Sequence, residues 1–209
     1  MDFPKLTHLT LTDIFNVYGG DKGSYFTHVG TANNIAHYYT KIYEMFMEQY
    51  RDVEINILEI GLWCSYFPGS SIKGWNSYFN KVQYYGIDIV DCTQFNNDNV
   101  HISICDQTSE EMLAEFLKDK PLFKFIIDDG VHEEEAIIKS LGTLFPHLES
   151  KGVYFIEDLH VVNKTDLYKL REKNFESKYI SQDKIDYINN NIENCYFSQD
   201  QKLCVIIKK

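Results

Sequence analysis

Between residues 123 and 160 the chain reads FKFIIDDGVHEEEAIIKSLGTLFPHLESKGVYFIEDLH, two short apolar runs flanking an amphipathic stretch. No other feature limits the fold as much. Residues 123–127 and 153–156 are too short for helices and lack the polar alternation of half-exposed strands, so they read as strands buried on both faces of a parallel sheet. Between them Ala136, Ile137, Leu141, Leu144, Phe145 and Leu148 form a helical stripe over residues 133–148 that can cover the sheet, and Lys151-Gly152 supplies the turn back. A right-handed crossover makes the strands parallel and sets their carboxyl ends side by side, where open α/β sheets bind ligands.

Both runs end in acid, Asp128-Asp129-Gly130 and Glu157-Asp158, with His132 three residues beyond Asp129. An aspartate after a strand often only caps the next helix, and Asp128 or Asp129 can do that for a helix starting near Glu133. His132 alone reads as a helix-start or core histidine. Two acidic pairs at equivalent strand ends are harder to explain structurally, because close like charges repel unless a proton or cation sits among them. A hard divalent ion such as Mg²⁺ takes one or two carboxylates plus water and substrate oxygens, which makes it the economical partner.

Upstream, residues 55–60 form an apolar strand closing in Glu59-Ile60-Gly61, and a glycine there lets a ligand approach the backbone closely. No second glycine follows at the dinucleotide offset, so a pyrophosphate cradle is not supported. A helix over 70–79, a strand over 83–87 ending in Asp88, and a strand over 100–104 ending in Cys105-Asp106-Gln107 come next. Asp88 stands where an acid accepts hydrogen bonds from ribose hydroxyls, and Asp106-Gln107 can read an adenine edge. Taken singly, each acid is equally a cap or a solvated turn; together they describe a nucleoside pocket with little room for phosphates.

The first 50 residues precede any strong strand: a short helix over 6–17, turn residues from Tyr18 to Gly23, a mobile loop to Asn34, and a helix over 35–50. Its stripe of Ile35, Tyr38, Tyr39, Ile42, Tyr43, Phe46 and Tyr50 reads chiefly as core. After the central unit, residues 164–193 are polar and helical with a break at 189–191; two strands around Gln199-Asp200-Gln201 then form a hairpin, the last of them buried.

With 31 acidic against 20 basic residues the net charge is −11 and no basic stripe exists, which speaks against nucleic acid as a partner. No apolar run reaches membrane-span length and the first residues lack a leader pattern, so the expected location is cytoplasmic. The five cysteines have neither zinc-knuckle nor disulfide-framework spacing.

Asp21-Lys22-Gly23, His37-Tyr38-Tyr39, Leu58-Glu59-Ile60-Gly61, Gly86-Ile87-Asp88, Asp106-Gln107, Asp128-Asp129-Gly130-Val131-His132, Leu144-Phe145-Pro146 and Ile156-Glu157-Asp158, in this order, resemble the metal-dependent sugar O-methyltransferases of the mycinamicin and macrocin type. The resemblance implies an α/β fold, a Rossmann-like class I methyltransferase sheet with a C-terminal antiparallel hairpin. It implies S-adenosylmethionine as cofactor, held by Glu59, Gly61, Asp88, Asp106 and Gln107 together with Asp128. Mg²⁺ would be bound by Asp129, Glu157 and Asp158, with His132 as catalytic base. Residues 1–50 would be a helical lid segment and 51–209 the cofactor domain. The acceptor would be a hydroxyl of a sugar, a nucleotide-linked sugar or another small polyol, and a homo-oligomer is compatible with it. Two other readings stay open: a non-haem iron hydroxylase using Asp129, His132 and His160, and a cofactor-binding module without chemistry.

Overall fold

The computed structural model describes residues 3–25, 36–62, 68–159 and 165–209. Among these residues seven strands form one sheet: β1 (Ile55–Ile60), β2 (Val82–Asp88), β3 (Val100–Ile104), β4 (Phe123–Asp128), β5 (Leu148–Ile156), β6 (Ile192–Phe197) and β7 (Cys204–Lys208). Their order is β3-β2-β1-β4-β5-β7-β6, parallel from β3 to β5 and antiparallel for β7 against both neighbours. Chain order runs outward from β1 to β3 and then resumes on the other side at β4, so the reversal lies between β1 and β4, where such sheets open a crevice.

Successive strand residues face opposite layers. Ile57, Phe125, Ile127, Phe155 and Val205 pack with α1 (Leu11–Tyr18), α2 (Thr40–Met47) and α3 (Ser70–Tyr78). Leu58, Ile126, Tyr154, Ile156 and Ile206 pack on the other face with α4 (Glu110–Leu117), α5 (Glu134–Leu144), α6 (Thr165–Tyr168) and α7 (Gln182–Asn191). Both faces of the strands are therefore covered, as their continuous apolar runs require.

Several boundaries differ from the sequence reading. The first helix begins at Leu11, because Thr10 and Asp13 form a capping box there. Helix α2 starts only at Thr40, and Tyr38 is exposed rather than part of the buried stripe. Helix α5 stops at Leu144, where Pro146 enters a 3-10 turn, and Leu148 already belongs to β5. Lys151-Gly152 is not a turn. It lies inside β5, where the register steps from Phe123↔Leu148 to Phe125↔Val153 and Lys151 takes a φ of 58° in a bulge. Helix α4 was not foreseen, although Ser109 caps it and Leu113, Phe116 and Leu117 are its buried face. Asn189–Asn191 is no break either: it closes α7, and the Asn189 amide pairs with both backbone groups of Phe175 at 2.9 Å.

Candidate functional site

The exits of β1 and β4 meet at the crevice. Gly61 has a φ of 82°, and a Cβ on it would stand 2.0 Å from the Asp129 carbonyl oxygen, so only glycine lets these two strand ends touch. Asp88 is fixed beside them, accepting from Leu62 N at 2.6 Å and Val90 N at 2.8 Å. Gly61, Asp88, Asp106, Gln107, Thr108, Asp129, Gly130 and Glu133 line a cavity of about 480 Å³ together with Ile60, Ile87, Ile89, Val90, Cys105 and Val131. A mostly apolar lining with a few polar groups suits a nucleoside.

Inside it, Asp106 Oδ1 accepts from Thr108 N at 2.8 Å and Oγ1 at 2.7 Å, which closes the turn after β3. The Gln107 amide is turned inward, donating to Asp128 Oδ1 at 3.1 Å and accepting from Val131 N at 2.9 Å; it braces the 129–131 turn. Glu59 and Asp128 do not line the cavity. Strand alternation sends them to opposite layers: Glu59 beneath α3, accepting from Tyr84 Oη, and Asp128 beneath α5, accepting from Ser140 Oγ at 2.5 Å and Tyr154 Oη at 3.3 Å. Burial pushes the Asp128 carboxyl up to about 6 against the opposing pull of those hydrogen bonds.

Asp129 joins the cavity to an acid cluster. Its Oδ1 lies 3.7 Å from His132 Nε2, and Asp158 Oδ2 lies 3.7 Å from the same nitrogen. The second oxygen of each acid has a different partner. Asp129 Oδ2 accepts from Lys22 Nζ, while Asp158 Oδ1 accepts from Tyr39 Oη at 2.6 Å and faces His37 Nδ1 at 2.9 Å. Glu157 is 1% exposed and turned inward, accepting from Tyr43 Oη and from Lys22 at 3.1 Å. His132 and Asp158 have φ values of 55° and 53°, a left-handed conformation that costs about 1–2 kcal/mol and persists where the surrounding structure over-determines it.

The electrostatics follow from burial and crowding. Burial lifts the Asp129 carboxyl above its ordinary value, against the pull of Lys22 and with a further push from Asp21 and Asp158; burial and Asp129 lift Glu157 as well. Burial alone would lower Lys22, but Asp129, Glu157 and Glu59 raise its ammonium well above the ordinary value. Burial also works to raise Asp158, yet the hydrogen bonds from His37 and Tyr39 win and hold it well below the carboxylate range.

Lys22, His37, Tyr39 and Tyr43 were not singled out as site residues from the sequence. The local fold explains their arrival. His37 N bonds to Asp21 O at 2.7 Å, Tyr38 N to Gly23 O at 3.0 Å and Thr40 N to Lys22 O at 3.0 Å, which sets the 21–23 turn against the start of α2. Tyr39 and Tyr43, four residues apart, point down one helical face; the Tyr43 ring packs on Phe155 at 4.6 Å while its hydroxyl reaches Glu157. The spacing was visible, but a buried aromatic stripe looks the same whether or not its phenol oxygens have work. Residues 63–67, residues 26–35, which cover most of the expected mobile loop, and His160 lie outside the described residues.

Asp129, His132 and Asp158 each offer a ligand atom within 4.8 Å of the others, a group that could hold a metal ion; Glu157, turned inward to Lys22 and Tyr43, is not among them, and no second histidine joins this group among the described residues. No family model matches the chain. Over 126 residues it is 33% identical to demethylmacrocin O-methyltransferase of Streptomyces fradiae, covering 59% of this chain and 32% of that protein. It is 32% identical over 126 residues to 8-demethyl-8-alpha-L-rhamnosyl tetracenomycin-C 2'-O-methyltransferase of Streptomyces olivaceus, covering 59% and 33%. The chain thus spans about a third of the length of these curated relatives. The solved MycE methyltransferase of the mycinamycin biosynthetic pathway, in complex with Mg, SAH and mycinamycin VI, superposes with a TM-score of 0.72 at 22% identity, covering 96% of this chain and 54% of that one. The fold is the Rossmann-like methyltransferase fold, and the resemblance to sugar O-methyltransferases extends beyond the short motifs.

Proposed function

We propose that this chain is an S-adenosylmethionine- and Mg²⁺-dependent O-methyltransferase acting on a sugar hydroxyl of a glycosylated small molecule. One observation carries the reading: Asp129 belongs at once to the nucleoside-sized cavity and to the cluster with His132 and Asp158. A methyl donor and a chelated acceptor can therefore meet at one residue. The rhamnosyl acceptor in the name of one relative supports a sugar over other polyols.

In this reading Asp88 takes the ribose hydroxyls and Gly61 lets the cofactor lie against the β1 exit, with Asp106, Gln107, Glu59 and Asp128 shaping that half. Asp129, Glu157 and Asp158 hold the ion. When bound, the cofactor supplies an electrophilic methyl group and Mg²⁺ acidifies the acceptor hydroxyl. His132 Nε2, 3.7 Å from Asp129 Oδ1 and from Asp158 Oδ2, receives the acceptor's proton. From residues 1–50, Lys22, His37, Tyr39 and Tyr43 hold the acids of the metal half, and residues 51–209 supply the cofactor half. No helix of the described residues is long and apolar enough to cross a membrane; we place the enzyme in the cytoplasm.

The test is release of S-adenosylhomocysteine from S-adenosylmethionine and Mg²⁺ with a panel of glycosylated polyketides and nucleotide sugars, with and without chelator. Chelator-insensitive turnover, or a folded chain that fails to bind S-adenosylhomocysteine by calorimetry, refutes the reading.

A further inference from the structure

Lys22 is 2% exposed, in the turn that follows α1, and its ammonium meets three acids from three strand ends: Asp129, Glu157 at 3.1 Å and Glu59 Oε1 at 3.8 Å. The proposed reaction gives it no step. It does not line the cavity, and a buried ammonium held by carboxylates is no base. Its effect on the acids can be followed atom by atom. It occupies Asp129 Oδ2, so that Oδ1 is the oxygen turned to His132, and with Tyr43 it draws Glu157 inward. Glu59 Oε1, buried and without a hydrogen-bond partner, has Lys22 as its nearby cation. Three carboxylates in so small a space would repel one another, and the protein supplies one positive charge of its own.

We propose that Lys22 is a positioning residue that serves as the permanent counter-charge of the site, competing with the divalent ion for Asp129 and Glu157. It lets the acids fold into place before any ion arrives, and it limits how tightly the ion then binds. The inference rests on the Mg²⁺ half of the proposed function. Glu59 extends the same charge toward β1, so the cation and cofactor halves of the site share one ammonium.

Calorimetric titration of the wild type, Lys22→Met and Lys22→Arg with Mg²⁺ alone, without acceptor or turnover, tests it. The Met variant is expected to bind Mg²⁺ roughly tenfold or more tightly, since a cation beside the site has been removed, and the Arg variant to stay near wild type. A purely structural lysine would lower the melting temperature without tightening the ion. Wild-type or weaker affinity in a folded Met variant overturns the inference and leaves the methyltransferase reading standing. A wild type that binds no Mg²⁺ overturns both. If the Met variant is unfolded without ions, refolding on addition of Mg²⁺ supports the inference, because the ion then takes over the ammonium's place; failure to refold overturns it.

Discussion

Ser140 offers a quantitative test of the layer beneath the site. Its hydroxyl donates to Asp128 Oδ2 at 2.5 Å, and burial holds that carboxyl at about 6 against an ordinary 3.8. A carboxyl that binds its proton more tightly when folded makes the native state lose stability as pH rises. The loss begins near the unfolded pKa of about 4, is complete above about 6, and amounts to about 3 kcal/mol at 1.36 kcal/mol per unit. Ser140→Ala removes a hydrogen bond worth about 1.5–3 kcal/mol to the charged form and about 0.5–1.5 kcal/mol to the neutral form, and the difference lifts the native pKa by about one further unit. Near pH 4 Asp128 is neutral in both proteins, and the variant is weaker only by a neutral hydrogen bond of about 0.5–1.5 kcal/mol. Above about pH 8 the full charged-bond cost appears, a drop of roughly 3–12 °C in Tm for a chain of this size. The other buried acids titrate in both proteins and cancel in the difference. Melting curves of both proteins between pH 4.5 and 8.5 are the assay. A gap that stays constant or narrows with pH refutes the assignment of Asp128 as the buried, ionising partner of Ser140.

Other outcomes follow from single contacts. Asp88→Ala, which strips the acceptor from Leu62 N and Val90 N as well as from the ribose, should weaken S-adenosylhomocysteine binding by about 1.5–3 kcal/mol by calorimetry; unchanged affinity would remove Asp88 from the site. Gly61→Ala places a methyl 2.0 Å from Asp129 O and should abolish binding of both cofactor and Mg²⁺ with the far-UV spectrum retained, so full binding would contradict the close approach of β1 and β4. His132→Ala should lower kcat by about 10²–10⁴-fold while the cofactor still binds, and should erase the fall of activity at acid pH; an unaltered acid limb would move the base elsewhere.

The parallel core was legible because its strands are continuous apolar runs with acids or glycine at their ends, and β1, β3 and β4 fall within a residue of where those runs are. The acids at the crevice were legible for the same reason. The direction each acid takes was less so: Glu59 and Asp128 point into opposite helical layers, and Glu157 and Asp158 part company although adjacent, which depends on strand register and not on residue type. Lys22 and His37 come together through backbone pairing across residues 26–35, and nothing in the composition of that stretch signals it. The β5 bulge escaped notice because Lys-Gly is ordinary turn chemistry; only the pairing with β4 shows that the strand continues through it.

The position of β7 between β5 and β6 bears on how the chain is made. Strand β6 leaves the ribosome before β7 exists, and among the described residues its ladder in the sheet is with β7 alone. During synthesis the parallel core from β3 to β5 can assemble in chain order, but it keeps an open edge at β5 until β7 emerges and forms both of its ladders. That edge, carrying Tyr154, Phe155 and Ile156, is the surface a nascent chain must keep from pairing with a neighbour. A chaperone that shields newly made protein would meet this chain there, in the interval between the translation of β5 and of β7.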